Sequence, residues 1–442
     1  MIGQFPWDPF PENVPLPKGP DPLQIHAYRS AVSAADAYRG VREALRFEHD
    51  LLRIGNRFVP LGRYREAAFV AVGEAAGSMA QGALDGLGEF VTAGFLAGPS
   101  ASLHRVPFPK VEIPLGPPGT PRAEEVVRSL AEIAESMAND QLLLLLVSPG
   151  ALRALALPPT GMSAEEMRGL WETLAEQGAT GRELERTVRV LANGGVGGGI
   201  GELVPAADIA TFVVDRGDGA RLLGGGPVHP VDPSERAEVR ALLERTGQFA
   251  RLPDPVRGRL SPPSGPVVRS GPVHRPVYVA RPSDAISGAG DALFDRKWRI
   301  RLGMLELAGG PESAAERFVA RVEEVLAREP APSRDQSRGI AIPAMTTLGQ
   351  PEGIDEGPAI GRFLQHAEQQ IRRRELSVGI FRTAGALGPS GFPAGAVIGR
   401  PGNPDFSRHA GRARAVPMEA GITDVGELVL ALFPAEEDGA VK

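Results

Sequence analysis

The sequence predicts an α/β protein built as two α/β domains with mostly parallel, helix-covered sheets. Three observations carry this. Near-continuous apolar runs alternate with helical stretches, the pattern of strands buried on both faces. The run Phe69-Val-Ala-Val-Gly-Glu-Ala-Ala-Gly-Ser-Met-Ala80 reads as a buried strand, a tight glycine turn and a helix of small residues. A second α/β pattern begins at Gly339, after a stretch rich in Pro, Gly and Arg.

Residues 1–24 form a Pro-rich arm, with Phe5, Trp7 and Phe10 as its anchors. A domain over 25–255 follows. A helical stretch from Asp21 to Leu52 crosses into it, and strand Ala67–Val72, helix Ala75–Leu84 and strand Val91–Leu96 follow. Next come helix Pro121–Asn139 and strand Leu142–Val147, then helices Ser163–Glu176 and Gly181–Leu191. The glycine-rich loop Gly194–Gly201, strand Ile209–Val214 and helix Pro233–Thr246 close the domain. Residues 256–330 read as a linker and helical connection, because Leu252–Pro282 is dense in Pro, Gly and Arg while Ser283–Leu326 is helical in pattern. The second domain, 331–442, carries the apolar run Ile340–Thr346, helix Ile360–Arg374 and a last apolar run, Leu428–Phe433.

The composition excludes several functions. The chain of 442 residues has no cysteine, which removes disulfides, thiolate metal sites and cysteine nucleophiles. Its seven histidines are scattered, and none has the spacing of a helical zinc site. A net charge of −6 argues against nucleic acid as a partner. No apolar run approaches the ~20 residues that span a bilayer, and no secretory signal is evident. Cytoplasm is the expected location. Only four of the 48 basic residues are lysines, so any phosphate clamp must use Arg or backbone N–H groups.

In an α/β sheet the loops after the strands carry the ligand site. Three such loops stand out: Gly73–Ala75, Ser148–Ala151 and Asp215–Val228. A helix N-terminus after a glycine turn suits an anion. Glu74, at the tip of the first turn, is itself an anion and repels a phosphate.

These loops and their spacing resemble the glycerate 2-kinase family, the two-domain kinases once labelled hydroxypyruvate reductases. The resemblance is colinear over roughly residues 25–434. Val72-Gly-Glu-Ala-Ala-Gly-Ser-Met79 fits the family's Gly-Lys-Ala-Ala turn, and Leu142–Val147 with Ser148 fits the strand entering its Ser-Gly-Gly-Gly-Ser loop. Gly178-Ala-Thr-Gly-Arg-Glu-Leu184 through Thr187-Val-Arg189 fits the helix before its Arg-Lys-His segment. Asp215–Pro227, Gly247–Leu260, Glu352-Gly-Ile-Asp355 and Thr423-Asp-Val-Gly-Glu-Leu428 fit later motifs in order. The resemblance implies a cleft between the two domains, Mg-ATP as cofactor, and phosphoryl transfer to the 2-hydroxyl of D-glycerate.

The apolar frame of the family persists while its chemical residues change. The family lysine falls on Glu74, and the phosphate loop reads Ser148-Pro149-Gly150-Ala151-Leu152. Proline there removes an N–H donor. Val190 and Leu191 stand for Lys and His, Val196-Gly-Gly-Gly199 for Lys-Gly-Gly-Arg, and Val228 for a threonine. Losing one stabilising donor typically costs about 10²–10³ in rate. Several losses together predict a glycerate 2-kinase-like protein that has shed most catalysis and serves as a binding, regulatory or assembly subunit. A second copy or an active relative is then the expected protein partner.

The competing reading is a working kinase of glycerate or another small hydroxy acid. Arg189 and Arg334 would then neutralise phosphate charge, and Asp218 and Asp355 would hold the metal. Gly73, Ser148, Gly150 and Asp218 would face the nucleotide. Each residue also has an ordinary reading: Arg189 as a solvated helix position, Asp218 and Asp355 as turn residues, Arg334 as linker. A dehydrogenase finds no support, because Gly194–Gly201 lacks the strand-then-helix context of a dinucleotide fingerprint.

Overall fold

The computed structural model describes residues 22–99, 103, 106–113, 118–120, 122–197, 199–200, 208–216, 230–261, 276–301, 310–329, 337–346, 357–371, 376–382, 395–398 and 427–434. They fall into two compact units. The described residues of Ala37–Ala280 form one, and those of Met1–Asp36, Arg281–Gly349 and Asp355–Lys442 form the other.

The first unit opens with helix Ala37–Ala44 and a three-stranded antiparallel sheet, β1 (Leu45–Glu48), β2 (Leu51–Ile54) and β3 (Arg57–Pro60). Leu45–Glu48 and Leu51–Leu52 are therefore strand, joined by a turn at His49–Asp50, where the sequence predicts helix. The apolar positions Leu45, Leu52 and Ile54 share one buried face in register, and the charged residues between them obscure the alternation.

The main sheet follows: β4 (Glu66–Val72), β5 (Val91–Gly98), β6 (Lys110–Glu112) and β7 (Gln141–Val147). After the two-residue pair β8 (Ala156–Leu157) and β9 (Asn193–Gly194) come β10 (Asp208–Val214) and β11 (Val277–Ala280). Six of these pair in parallel in the order β11-β10-β7-β4-β5-β6. That is the 3-2-1-4-5-6 order of a doubly wound fold, with its switch point between β4 and β7. Five residues of the Leu-rich β7 interior, Leu142 to Leu146, are at most 1% exposed, as a strand covered on both faces requires. β11 lies inside the stretch the sequence assigns to a linker. Its four residues, Val277-Tyr-Val-Ala280, follow Arg275 and Pro276 and are too few to show a period.

Helix starts in this unit follow their capping chemistry. Ser163 with Glu166, Thr180 with Glu183, and Asp232 with Glu235 each form a reciprocal capping box. The amino edge of the sheet is pinned by Asp208, whose Oδ2 accepts from the Tyr64 hydroxyl at 2.8 Å and from Arg63 at 3.2 Å.

Burial, then the hydrogen bond to Asp208, pushes the Tyr64 hydroxyl up to about 12 from 10.0. Tyr38, which donates to Asp85 at 2.7 Å, is pushed up to about 12 by burial and that bond. The folded chain keeps these protons after the unfolded chain has released them. Their stabilisation is therefore complete below pH 10 and is lost as pH rises from about 10 toward about 12. Thermal unfolding followed across that window should show a falling midpoint, and Tyr64→Phe should flatten part of the slope. A midpoint constant across the window would refute this.

The second unit holds helix Pro22–Ala34, helix Pro282–Phe294, β12 (Arg299–Ile300), helix Pro311–Arg328, β13 (Gly339–Thr346), helix Gly357–Gln370, β14 (Ser377–Arg382), β15 (Gly395–Ile398) and β16 (Glu427–Pro434). The sequence reading places residues 25–36 with the first domain, yet by contact they group here. The reason is a close helix crossing: a Cβ at Gly288 would lie 2.5 Å from both Ser30 O and the Ala34 Cβ. The ring of Tyr28 also stacks on Phe381 at 5.1 Å, and Gln24 donates to Ser377 at 2.8 Å.

The second sheet, ordered β12-β13-β16-β14-β15, departs from the parallel expectation. Only β12 and β13 run parallel; β13–β16, β14–β16 and β14–β15 are antiparallel. An apolar run reveals burial but not direction, and the sequence reading missed β14 and β15 altogether. No described helix of either unit is long and apolar enough to cross a membrane.

Candidate functional site

The register Val72↔Val147 and Val147↔Val213 brings the ends of β4, β7 and β10 level. Gly73–Ala75, Ser148–Gly150 and Asp215–Arg216 therefore sit together at the carboxyl edge of the sheet. The first two loops flank the switch point, where an open α/β sheet takes its ligand.

At this position the two loops are bonded to each other. The Glu74 N–H donates to Pro149 O at 3.0 Å, and the Ala75 N–H donates to the Ser148 hydroxyl at 3.0 Å. That hydroxyl donates in turn to Val72 O at 3.2 Å, and the Ser148 N–H donates to the same carbonyl at 3.0 Å. The Gly73 N–H goes to Ala97 O at 2.9 Å and the Ala76 N–H to Gly73 O at 3.2 Å. Four consecutive N–H groups, from Gly73 to Ala76, thus have protein acceptors. Ser148 is fully buried and Glu74 is 4% exposed.

Gly73 makes this approach possible. Its φ is +114°, and a Cβ there would lie 2.4 Å from Ser148 O and 2.6 Å from Pro149 O. Gly150, at φ +86°, turns the second loop into the short helix Ala151–Ala154.

Arg189 lies at the end of helix Gly181–Leu191, facing helix Pro233–Arg245. Its Nε donates to both Glu235 oxygens, at 3.1 and 3.2 Å, and its Nη2 to Pro230 O at 3.1 Å. It is 4% exposed, and burial lowers its basicity while Glu235 raises it. Glu235 also closes the cap of its own helix by accepting from the Asp232 N–H at 2.9 Å. The same helix pair is laced by Arg186 to Glu238 and by Arg245 to Glu183. The arginine that the sequence offers as a phosphate ligand is one rung of this ionic seam. Asp218, Arg334 and Asp355 lie outside the described residues. No group of three or more metal-ligating side chains occurs among the described residues.

The sequence reading missed two buried cations at this edge. Arg153, one turn past Gly150, is 3% exposed and lies 3.0 Å from Glu185. Arg216, two residues past β10, is 8% exposed. Burial raises the Glu185 carboxyl above its usual range, and the charges of Arg153 and Arg216 oppose that rise. No motif announces this cluster, because its members come from three separate segments.

The strand order and the paired loops at the switch point define a doubly wound α/β protein with a second, mostly antiparallel unit. The chain belongs to the family described as Domain of unknown function (DUF4147), which matches residues 24–261. The resemblance to glycerate 2-kinases holds in sequence as well. The chain is 31% identical over 141 residues to a glycerate kinase of Danio rerio, covering 31% of this chain and 28% of that protein. It is 27% identical over 237 residues to a glycerate 2-kinase of Pyrococcus horikoshii, covering 51% and 50%. The chain thus spans half or less of the length of these relatives. A crystal structure of glycerate kinase from Thermotoga maritima superposes with a TM-score of 0.67 at 19% identity, over 93% of this chain and 98% of that one. At that identity the likeness concerns the fold.

Proposed function

We propose that this chain is a glycerate-kinase-like protein that no longer turns over nucleotide and instead acts as a binding, regulatory or assembly subunit. The observation that carries the reading is the bonded pair of loops at the switch point. A phosphate cradle needs free N–H donors and positive charge. Here the Glu74 and Ala75 N–H groups are engaged by Pro149 and Ser148, and the side chain in the turn is a carboxylate. The described residues do not fit the phosphates of Mg-ATP. Arg189, committed to Glu235, does not supply the missing charge.

Phosphoryl transfer rests on positioning and electrostatic stabilisation of the migrating group. A turn whose N–H donors are engaged and whose side chain is a carboxylate works against both, and so against nucleotide binding and transfer to a hydroxy acid. The test is calorimetric titration of the full chain with Mg-ATP, with and without D-glycerate. No heat and no thermal stabilisation at millimolar nucleotide is expected. Binding followed by glycerate-dependent ADP release would overturn the proposal in favour of an active kinase. A related prediction concerns Glu74→Lys. Restoring the family's charge leaves the backbone donors engaged, so the Mg-ATP titration should stay flat. A gain in affinity from this single change would mean that charge alone had closed the site.

A further inference from the structure

The three-stranded sheet β1-β2-β3 is where the first unit leaves large apolar side chains in solvent. Four such side chains are exposed among the described residues, and three of them, Phe47, Leu51 and Phe58, lie on this meander. Phe47 shares the face of buried Leu45, Leu52 and Ile54, and its ring meets that of Phe90 edge-on at 5.5 Å. Leu51 and Phe58, 37% and 52% exposed, share the opposite, outer face. The strand pairing lays out that face as two rows of three. Arg46, Arg53 and Phe58 lie side by side in one row, and Glu48, Leu51 and Pro60 in the other. Glu48 accepts from Arg46 at 2.9 Å and lies 3.4 Å from Arg53.

We propose that this outer face associates with the same face of a second copy of this chain, about a two-fold axis that runs across the strands between the two rows. Charge complementarity selects that partner. The axis lays each row over the other row of the second copy, strand by strand. Arg46 then faces Glu48 of the second copy, Phe58 faces Pro60, and the aliphatic stem of Arg53 covers Leu51. Each contact occurs twice, as an isologous interface requires. One row carries two cations and the other an anion beside two apolar residues, so each supplies what the other lacks. The strands of the two copies run along one another, the aligned arrangement of stacked sheets. Three strands of four residues cover about 14 by 14 Å, or roughly 200 Å². A stable interface takes about 800 Å² per partner, so the association is weak, with a Kd on the order of 100 µM. It does not depend on whether the chain binds nucleotide.

The test is sedimentation equilibrium of the full chain, from a few micromolar to about 300 µM, a range that brackets the expected Kd. The mean mass should rise from monomer toward dimer. Phe58→Asp should weaken the association about tenfold or more, by placing a carboxylate against Pro60 of the second copy. Arg46→Glu and Glu48→Arg should each weaken it about tenfold, because each sets like charges face to face twice. Mixed in equal amounts, these two variants should regain the original affinity, since each then meets its opposite charge in the other chain. None of the three positions is buried, so the thermal midpoints, which check that the variants are folded, should barely move. A chain that stays monomeric to the highest concentration overturns the proposal. So does association that survives Phe58→Asp unchanged, or a mixture of the two charge variants that associates no better than either alone.

Discussion

Glu235→Ala should destabilise the first unit by about 3–5 kcal/mol, the usual cost of leaving one partner of a buried ion pair uncompensated. Arg189 is 4% exposed, and Glu235 accepts from its Nε through both oxygens. The variant strands that guanidinium in a site built for a charge pair. It also removes the carboxylate that accepts from the Asp232 N–H, so the helix at Pro233 loses half of its capping box.

The control separates the two losses. Arg189→Met with Glu235→Gln removes both charges and keeps a side chain able to cap. That double variant should recover most of the stability, because replacing a whole buried pair is often close to neutral. Urea unfolding midpoints at unchanged m-value give the comparison. If Glu235→Ala leaves the midpoint in place, Arg189 is not held by this pair and becomes available to a ligand.

Much of the frame was legible in the sequence. Leu142–Val147 has the length and apolar continuity of a buried strand, and the capping pairs at Ser163, Thr180 and Asp232 mark their helices. What escaped shares a physical cause. β1 to β3 are four-residue strands in which Arg46, Glu48, Arg53 and Arg57 interrupt the apolar positions. β11 is short and set among prolines, so its place beside β10 depends on a partner far earlier in the chain, as in the pairing of Val277 with Phe212. Direction in the second sheet is a property of connections, not of composition.

The site was legible in the same uneven way. The turn at Gly73 and the wrong charge at Glu74 are visible in sequence. That Ser148 bonds the turn shut is not, since a serine after a strand looks the same whether it faces a ligand or Val72 O. Arg189 illustrates the limit: its residue type suits phosphate, but its partner, Glu235, lies 46 residues away on another helix.

The second large effect belongs to Gly73→Ala, which should cost about 3 kcal/mol or more through backbone strain and overpacking combined. The native φ of +114° is one that alanine rarely adopts. The added methyl would also meet Ser148 O at 2.4 Å and Pro149 O at 2.6 Å, and these are backbone atoms with no rotamer to yield. Relief requires the two loops to part, which would break the bonds from Glu74 N–H to Pro149 O and from Ala75 N–H to the Ser148 hydroxyl. The variant should therefore unfold at lower temperature and lose amide-exchange protection at Glu74 and Ala75 before the sheet opens. An unchanged midpoint, with neither amide protected even before the substitution, would show that the loops are not in contact in solution, and the case against a phosphate site at the switch point would lose its main support.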